Sequence, residues 1–166
     1  MKAGEQPSSS PTGKYLLIAN IQVWTTCNKM VEIRASRQIN APVEKVWSIV
    51  SDIDNEPQYW HGTKSVRNIS KNGNVVEREV VISFKDSLCK QTVVLKPATA
   101  VEITISEGPM KGMKTVTLVQ ESGSTRVDVL WDIKFAGFLG MFSGMVKKHI
   151  AEGTEEALSR IAKAAE

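Results

Sequence analysis

The chain has 166 residues, of which 42% are hydrophobic and 23% charged, with a formal net charge of +3. That length suits one domain, able to bury roughly 70% of its unfolded surface without a disulfide or a structural metal. The small positive excess is spread along the chain instead of gathered into a basic block, which argues against a nucleic-acid partner. No apolar run reaches the roughly 18–20 residues that cross a bilayer, so no integral membrane span is expected.

Residues 1–13, MKAGEQPSSSPTG, read as a polar tail, and Tyr15–Trp24 as an apolar stretch interrupted by Asn20 and Gln22. The stretch has the length of a signal-peptide core but no small-x-small cleavage site follows it. An extra strand or short helix packed on the domain is preferred, and residues 1–29 are expected to be a flexible or accessory N-terminal extension. Cys27 and Cys89 stand far apart, with no zinc-type or redox spacing. Two free thiols in a reducing, cytoplasmic compartment are expected, with neither metal nor cofactor.

From Met30 the pattern alternates with period two. Val31, Ile33, Ala35 and Ile39 fall on one face, and Glu32, Arg34, Ser36 and Gln38 on the other, as in a half-buried strand. Asn40-Ala41-Pro42 ends it. Val43, Val46, Trp47 and Val50 then recur at helical spacing, with Pro42 and Glu44 suited to the first turn. The segment Ser51–Pro57, rich in capping groups, leads into Tyr59-Trp60-His61 and reads as a second short helix. Six more strands are expected at Ser65–Ile69, Val75–Phe84, Leu88–Lys96, Val101–Ser106, Met113–Gln120 and Thr125–Phe135. Asn72-Gly73 is a hairpin signal, and links this short favour a meander of antiparallel neighbours. Gly108–Gly112 reads as a loop that lacks the features of a phosphate cradle. In the last 30 residues the period becomes helical. Phe138, Leu139, Phe142, Met145, Val146, His149, Ile150, Gly153 and Ala157 form the apolar stripe of a long C-terminal helix.

This order of elements, with the segments Ile39–Trp47 and Ser51–Trp60 and the closing helix, resembles the START-related helix-grip (SRPBCC) superfamily, and within it the polyketide cyclase/dehydrase and lipid-transport family. The resemblance spans Met30 to about Ala165. It implies an α+β fold, a seven-stranded curved antiparallel sheet wrapped around the C-terminal helix, with two short helices between the first two strands. It also implies that residues 30–166 are a ligand-binding domain with a cavity between helix and sheet. The expected partner is a hydrophobic small molecule, lipid, isoprenoid or polyketide-like, bound or transported by a monomer or homodimer. A polyketide cyclase/aromatase or dehydrase using the same cavity is the alternative.

Trp60, His61, Arg78, Phe84, Trp131, Phe138, Phe142, Met145 and His149 are the residues expected to meet the ligand. Trp60 and His61 fall where the family places the lid, although a packing anchor for the short helix is the preferred reading of Trp60. His149 lies on the apolar stripe, so its ring is expected to face the cavity, but no carboxylate is spaced to orient it for acid–base work. Arg78 shares parity with the apolar positions of its strand and either places a charge in the cavity or snorkels to the sheet edge. Glu77 and Glu79 read as a solvated outer face or as paired carboxylates. Gly137, Gly140, Gly144 and Gly153 mark either room for a ligand or close backbone packing. The apolar segment Phe135–Met145, if exposed, would suit transient contact with a membrane or a partner. No HExxH, GxSxG or Cys-His signature is present, and no catalytic residue is assigned.

Overall fold

Residues 30–166 are described by a computed structural model, except for the side chain of Phe138; the expectations for residues 1–29 lie outside the described residues. Strand β1 (Val31–Ile39) buries Ile33, Ala35 and Ile39 and exposes the alternate side chains. Its exit is pinned by the Thr125 hydroxyl, which donates to the Ala41 carbonyl at 2.8 Å. Helix α1 (Val43–Val50) follows, with Pro42 at its cap position and Val43 and Val46 buried. Pro42 offers no side-chain cap. The Gln120 amide oxygen accepts from the Val43 N–H at 3.1 Å instead, so the helix start is satisfied from across the sheet.

The second short helix is a 3₁₀ helix, Ile53–Gln58, with Pro57 inside it. Proline has no N–H to continue an α-helical ladder. The Ile53 carbonyl accepts instead from the Arg78 guanidinium at 3.1 Å.

Strands β2 (Thr63–Asn72), β3 (Val75–Ile82), β4 (Ser87–Lys96), β5 (Ala100–Glu107), β6 (Met110–Glu121) and β7 (Ser124–Phe135) pair antiparallel in succession. β1 joins the far side of β7, giving the order β1-β7-β6-β5-β4-β3-β2. The first hairpin loop is Gly73-Asn74, one residue later than the Asn72-Gly73 signal. Only Gly73 of the two has positive φ, the pattern of a glycine-first turn. Met110–Gly112, read from the sequence as loop, belongs to β6. Gly112 has φ +136°, and a Cβ there would stand 2.2 Å from the Asp132 carbonyl oxygen, so two backbones meet where only glycine fits.

After β7 comes a 3₁₀ helix, Gly137–Phe142, and then α2 (Ser143–Ala165), packed chiefly on β1 and α1. Its buried side chains are Thr154, Ala157, Leu158, Ile161, Ala162 and Ala165, with Val146 and Ile150 half-buried. Of the stripe read from the sequence, Leu139, Val146, Ile150 and Ala157 pack inward, and the buried face is centred further round the helix. Met145 is 69% exposed, and Phe142 and His149 face solvent. The buried face is shared by the large Leu158 and Ile161 and by the smaller Thr154, Ala157, Ala162 and Ala165. Gly144 and Gly153 have no atom within 4 Å of a would-be Cβ, so they mark neither close packing nor a neighbouring wall.

Candidate functional site

Among the described residues the inner face of the sheet carries buried charge at two places. In β6, Lys114 shares parity with Val116 and Leu118; in β3, Arg78 shares parity with Val76 and Val80. Both reach one carboxylate, Glu56 of the first 3₁₀ helix. Arg78 is 1% exposed, Lys114 3% and Glu56 9%, so three charges lie out of water together. Each nitrogen of the Arg78 guanidinium is engaged. Nε donates to the Gln91 side chain at 2.9 Å, Nη1 to the Ile53 carbonyl, and Nη2 to Glu56 Oε2. Glu56 Oε1 accepts from the Thr63 hydroxyl at 3.3 Å and lies 3.6 Å from Lys114 Nζ.

Lys114 is held differently. Its ammonium stands 3.2 Å from the centroid of the Trp60 ring and 5.0 Å from that of Trp131, which opposes it on β7. The two indoles meet edge to face, 6.4 Å between centroids, and Trp131 Nε1 donates to the Thr154 hydroxyl of α2 at 3.1 Å. Thr154 passes the bond on to the Ile150 carbonyl at 2.7 Å. Arg160 of α2 donates to the Tyr59 carbonyl at 2.9 Å, tying the helix to the segment that carries Trp60. Sheet, 3₁₀ helix and α2 are thus joined at this one place.

Burial pushes the Lys114 ammonium down to about 8, with the Arg78 cation acting the same way and Glu56 opposing both. For Glu56 burial alone would raise the carboxyl, but Lys114 and Arg78 outweigh it and hold the group below the ordinary carboxylate range. Glu56, Trp60 and Lys114 line a hollow with Ile49, Val50, Asp52, Ile53, Tyr59, Val101, Ile103, Val116 and Ile161. Its volume is about 20 Å³, room for roughly one water molecule. The roomy cavity expected from the resemblance is not open in this conformation. A second, open depression of about 610 Å³ lies beside Arg34, Ser36, Thr115, Thr117 and Asp128, and no buried charge lines it.

Of the residues singled out in the sequence, the structure brings together Trp60, Arg78 and Trp131. Arg78 does not snorkel; its side chain is wholly buried. Trp60 is both wall and anchor, half-buried against the core. His61, Phe84, Phe142, Met145 and His149 are exposed and stand off the hollow, and the side chain of Phe138 lies outside the described residues. His149 is a clear correction: the ring lies on the solvent side of α2 because the buried face is turned away from it. Glu77 and Glu79 are on the outer face, accepting from Ser70 at 3.1 Å and from Arg67 respectively. Sequence reasoning missed Lys114 and Glu56. The parity rule that flagged Arg78 applies equally to Lys114, whereas Glu56 sits in a run of capping residues that carries no such signal.

The family model for polyketide cyclase / dehydrase and lipid transport proteins matches residues 30–166. The chain belongs to this family. Its fold is that of the START/SRPBCC superfamily. TTHA0849 from Thermus thermophilus is similar with a TM-score of 0.72 and 20% identity, over 81% of this chain and 97% of that one. The Zhui aromatase/cyclase from Streptomyces sp. R1128 matches at 0.68 and 14% identity, over 82% and 94%. A START superfamily protein from Mycobacterium smegmatis matches at 0.57 and 19% identity, over 82% and 94%. At such identities these likenesses concern the fold alone. No curated protein matches the chain. Among the described residues there is no group of side chains suited to hold a metal ion, and no helix is long and apolar enough to cross a membrane.

Proposed function

We propose that this family member binds a hydrophobic small molecule, lipid, isoprenoid or polyketide-like, between α2, the Ile53–Gln58 helix and the inner face of the sheet. The observation that carries the reading is the composition of the hollow's wall. Ile49, Val50, Ile53, Val101, Ile103, Val116 and Ile161 form an apolar surface, with the aromatic rings and the charged groups gathered at one point. Ligand sites have this form, apolar walls with a few placed polar groups. Burial at about 25 cal/mol per Å² would support micromolar binding once the wall opens. The half-buried Tyr59 and Trp60, on a segment tied to α2 by Arg160, are the side chains whose movement enlarges it. A cytoplasmic location fits Cys89, a free thiol packed in the core.

Native mass spectrometry of gently purified protein, with titration of the neutral fluorophore N-phenyl-1-naphthylamine, tests the reading. It predicts a copurified adduct and saturable 1:1 binding weakened by Trp60→Ala. Absence of both adduct and saturable binding would overturn it.

A cyclase or dehydrase reaction is the second reading, favoured by one observation. Lys114, brought to about 8 by burial, stands at the hollow's wall, a group able to give up or take a proton near neutral pH. If such chemistry takes place, Lys114→Met removes turnover of a poly-β-ketone substrate and leaves its binding measurable.

A further inference from the structure

We infer that the molecule bound at this hollow presents an anionic oxygen, a carboxylate or an enolate or phenolate, to Lys114. This rests on the hydrophobic-ligand reading above and adds to it the chemistry of the ligand's polar end.

The inference follows from an account of buried charge. Two cations, Arg78 and Lys114, face one buried anion, Glu56. Arg78 donates to Gln91, Ile53 and Glu56 and has a structural part to play in holding the 3₁₀ helix to the sheet. Glu56 is shared among Arg78, Thr63 and Lys114, and its approach to Lys114 is the long one, 3.6 Å. The excess positive charge therefore belongs to Lys114. Its other support is the face of Trp60, which steadies a cation without neutralising it. Asp52 also lines the hollow, but it is exposed and its carboxylate accepts from Asn55 at 2.7 Å, so water and that amide already serve it. A cation kept out of water without an equal countercharge is costly, and an incoming anion relieves that cost. A greasy molecule ending in one anionic oxygen satisfies both parts of the wall. Its apolar body lies on the aliphatic side chains, and its oxygen meets Nζ beside the two indoles.

The test uses three probes of one size: 2-naphthoate, its neutral counterpart 2-acetylnaphthalene, and 2-naphthol. Binding is followed by quenching of tryptophan fluorescence at pH 7. Naphthoate is expected to bind at least about tenfold more tightly than the ketone, the size of one charge-assisted hydrogen bond. Lys114→Met should bring naphthoate down to the ketone's affinity and leave the ketone unchanged. A check that needs no variant is the same comparison in the intact protein at pH 9. There Lys114 has lost most of its proton, and the preference should shrink. The other charged or titratable groups facing the hollow are Glu56, Asp52, Tyr59 and Arg78; a parallel titration of Lys114→Gln separates their effect. Bound naphthol with the absorption of naphtholate at pH 7 assigns the site to enolates and phenolates as well as carboxylates, and a naphthoate preference alone assigns it to carboxylates. Equal affinity for naphthoate and ketone would overturn the inference while leaving hydrophobic binding intact. Failure of every probe to bind would overturn both.

Discussion

Two parts of the interior are built on opposite principles. Beneath the C-terminal half of α2, Ala35, Ile39, Val129, Leu158, Ile161 and Ala165 meet with no charge among them, and removal of area from water suffices to hold them. A few residues away, Glu56, Arg78 and Lys114 are as deeply buried and must compensate one another's lost hydration. The alternation of the strands does not distinguish the two: Arg78 and Lys114 occupy the same inner face as the valines. A sheet needs only something to fill that face, so placing charge there is not explained by packing and points to the site.

The largest effect belongs to Glu56→Gln. It leaves two buried cations without a carboxylate, and a loss of about 3–5 kcal/mol is expected in urea denaturation. Adding Lys114→Met to that variant should restore part of the loss, a coupling that a merely local defect would not show. On the sheet side, Gly112→Ala forces a methyl against the Asp132 carbonyl oxygen and the Ile133 Cα, 2.2 and 2.8 Å away. A loss of about 3 kcal/mol is expected, through backbone strain instead of charge.

Lys114→Met alone should act in the opposite direction. It removes the excess cation and leaves the Glu56–Arg78 pair, so a gain of about 1–3 kcal/mol at pH 7 is expected, measured by the denaturation midpoint. The pH dependence follows from linkage. The folded-state pKa of Lys114 lies at about 8, below its ordinary value of 10.5. Between these the unfolded chain holds the proton that the folded one has released, so the wild type gains stability as pH rises from about 8 to 10.5, and the variant lacks this rise. Glu56, held low in the folded state, contributes stability that is present above the ordinary carboxylate range and lost as pH falls through its folded value. The acid limb should therefore shrink in Glu56→Gln. The smallest effect belongs to Gly153→Ala. A Cβ there meets nothing, and a gain of about 0.5–1 kcal/mol in thermal unfolding, with probe binding unchanged, would show that this glycine serves neither part of the interior.

Much of this was legible in the chain itself. The alternation of β1 and β7, the hairpin at Gly73 and the helical period of the last residues are local patterns, and the structure follows them to within a residue or two. The errors have a common source. The helical stripe points to Phe142, Met145 and His149 as well as to Val146, Ile150 and Ala157, yet only the last three pack inward, joined by Thr154, Leu158, Ile161, Ala162 and Ala165. Which side of a helix turns inward is set by the elements it packs on, here β1 and α1, and not by its own pattern of apolar residues alone. Arg78 was visible as a charge on an apolar parity, and Lys114 bears the same mark in its strand. Glu56 bears none, since a carboxylate near a proline in a short helix is ordinary on any surface.

By itself the sequence determined which segments become strands and helices, their order, and which face of each strand is inward, because backbone sterics and the two periodicities act over a few residues. The tertiary structure alone decided that the third residue before Tyr59 would meet side chains from β3 and β6. It also decided that Trp60 and Trp131 would both stand against Lys114 and that the hollow lined by Trp60 would be small. These are meetings between groups far apart in the chain. The physical reason is that the energy of a charge is set by what surrounds it in space, and no local pattern records that.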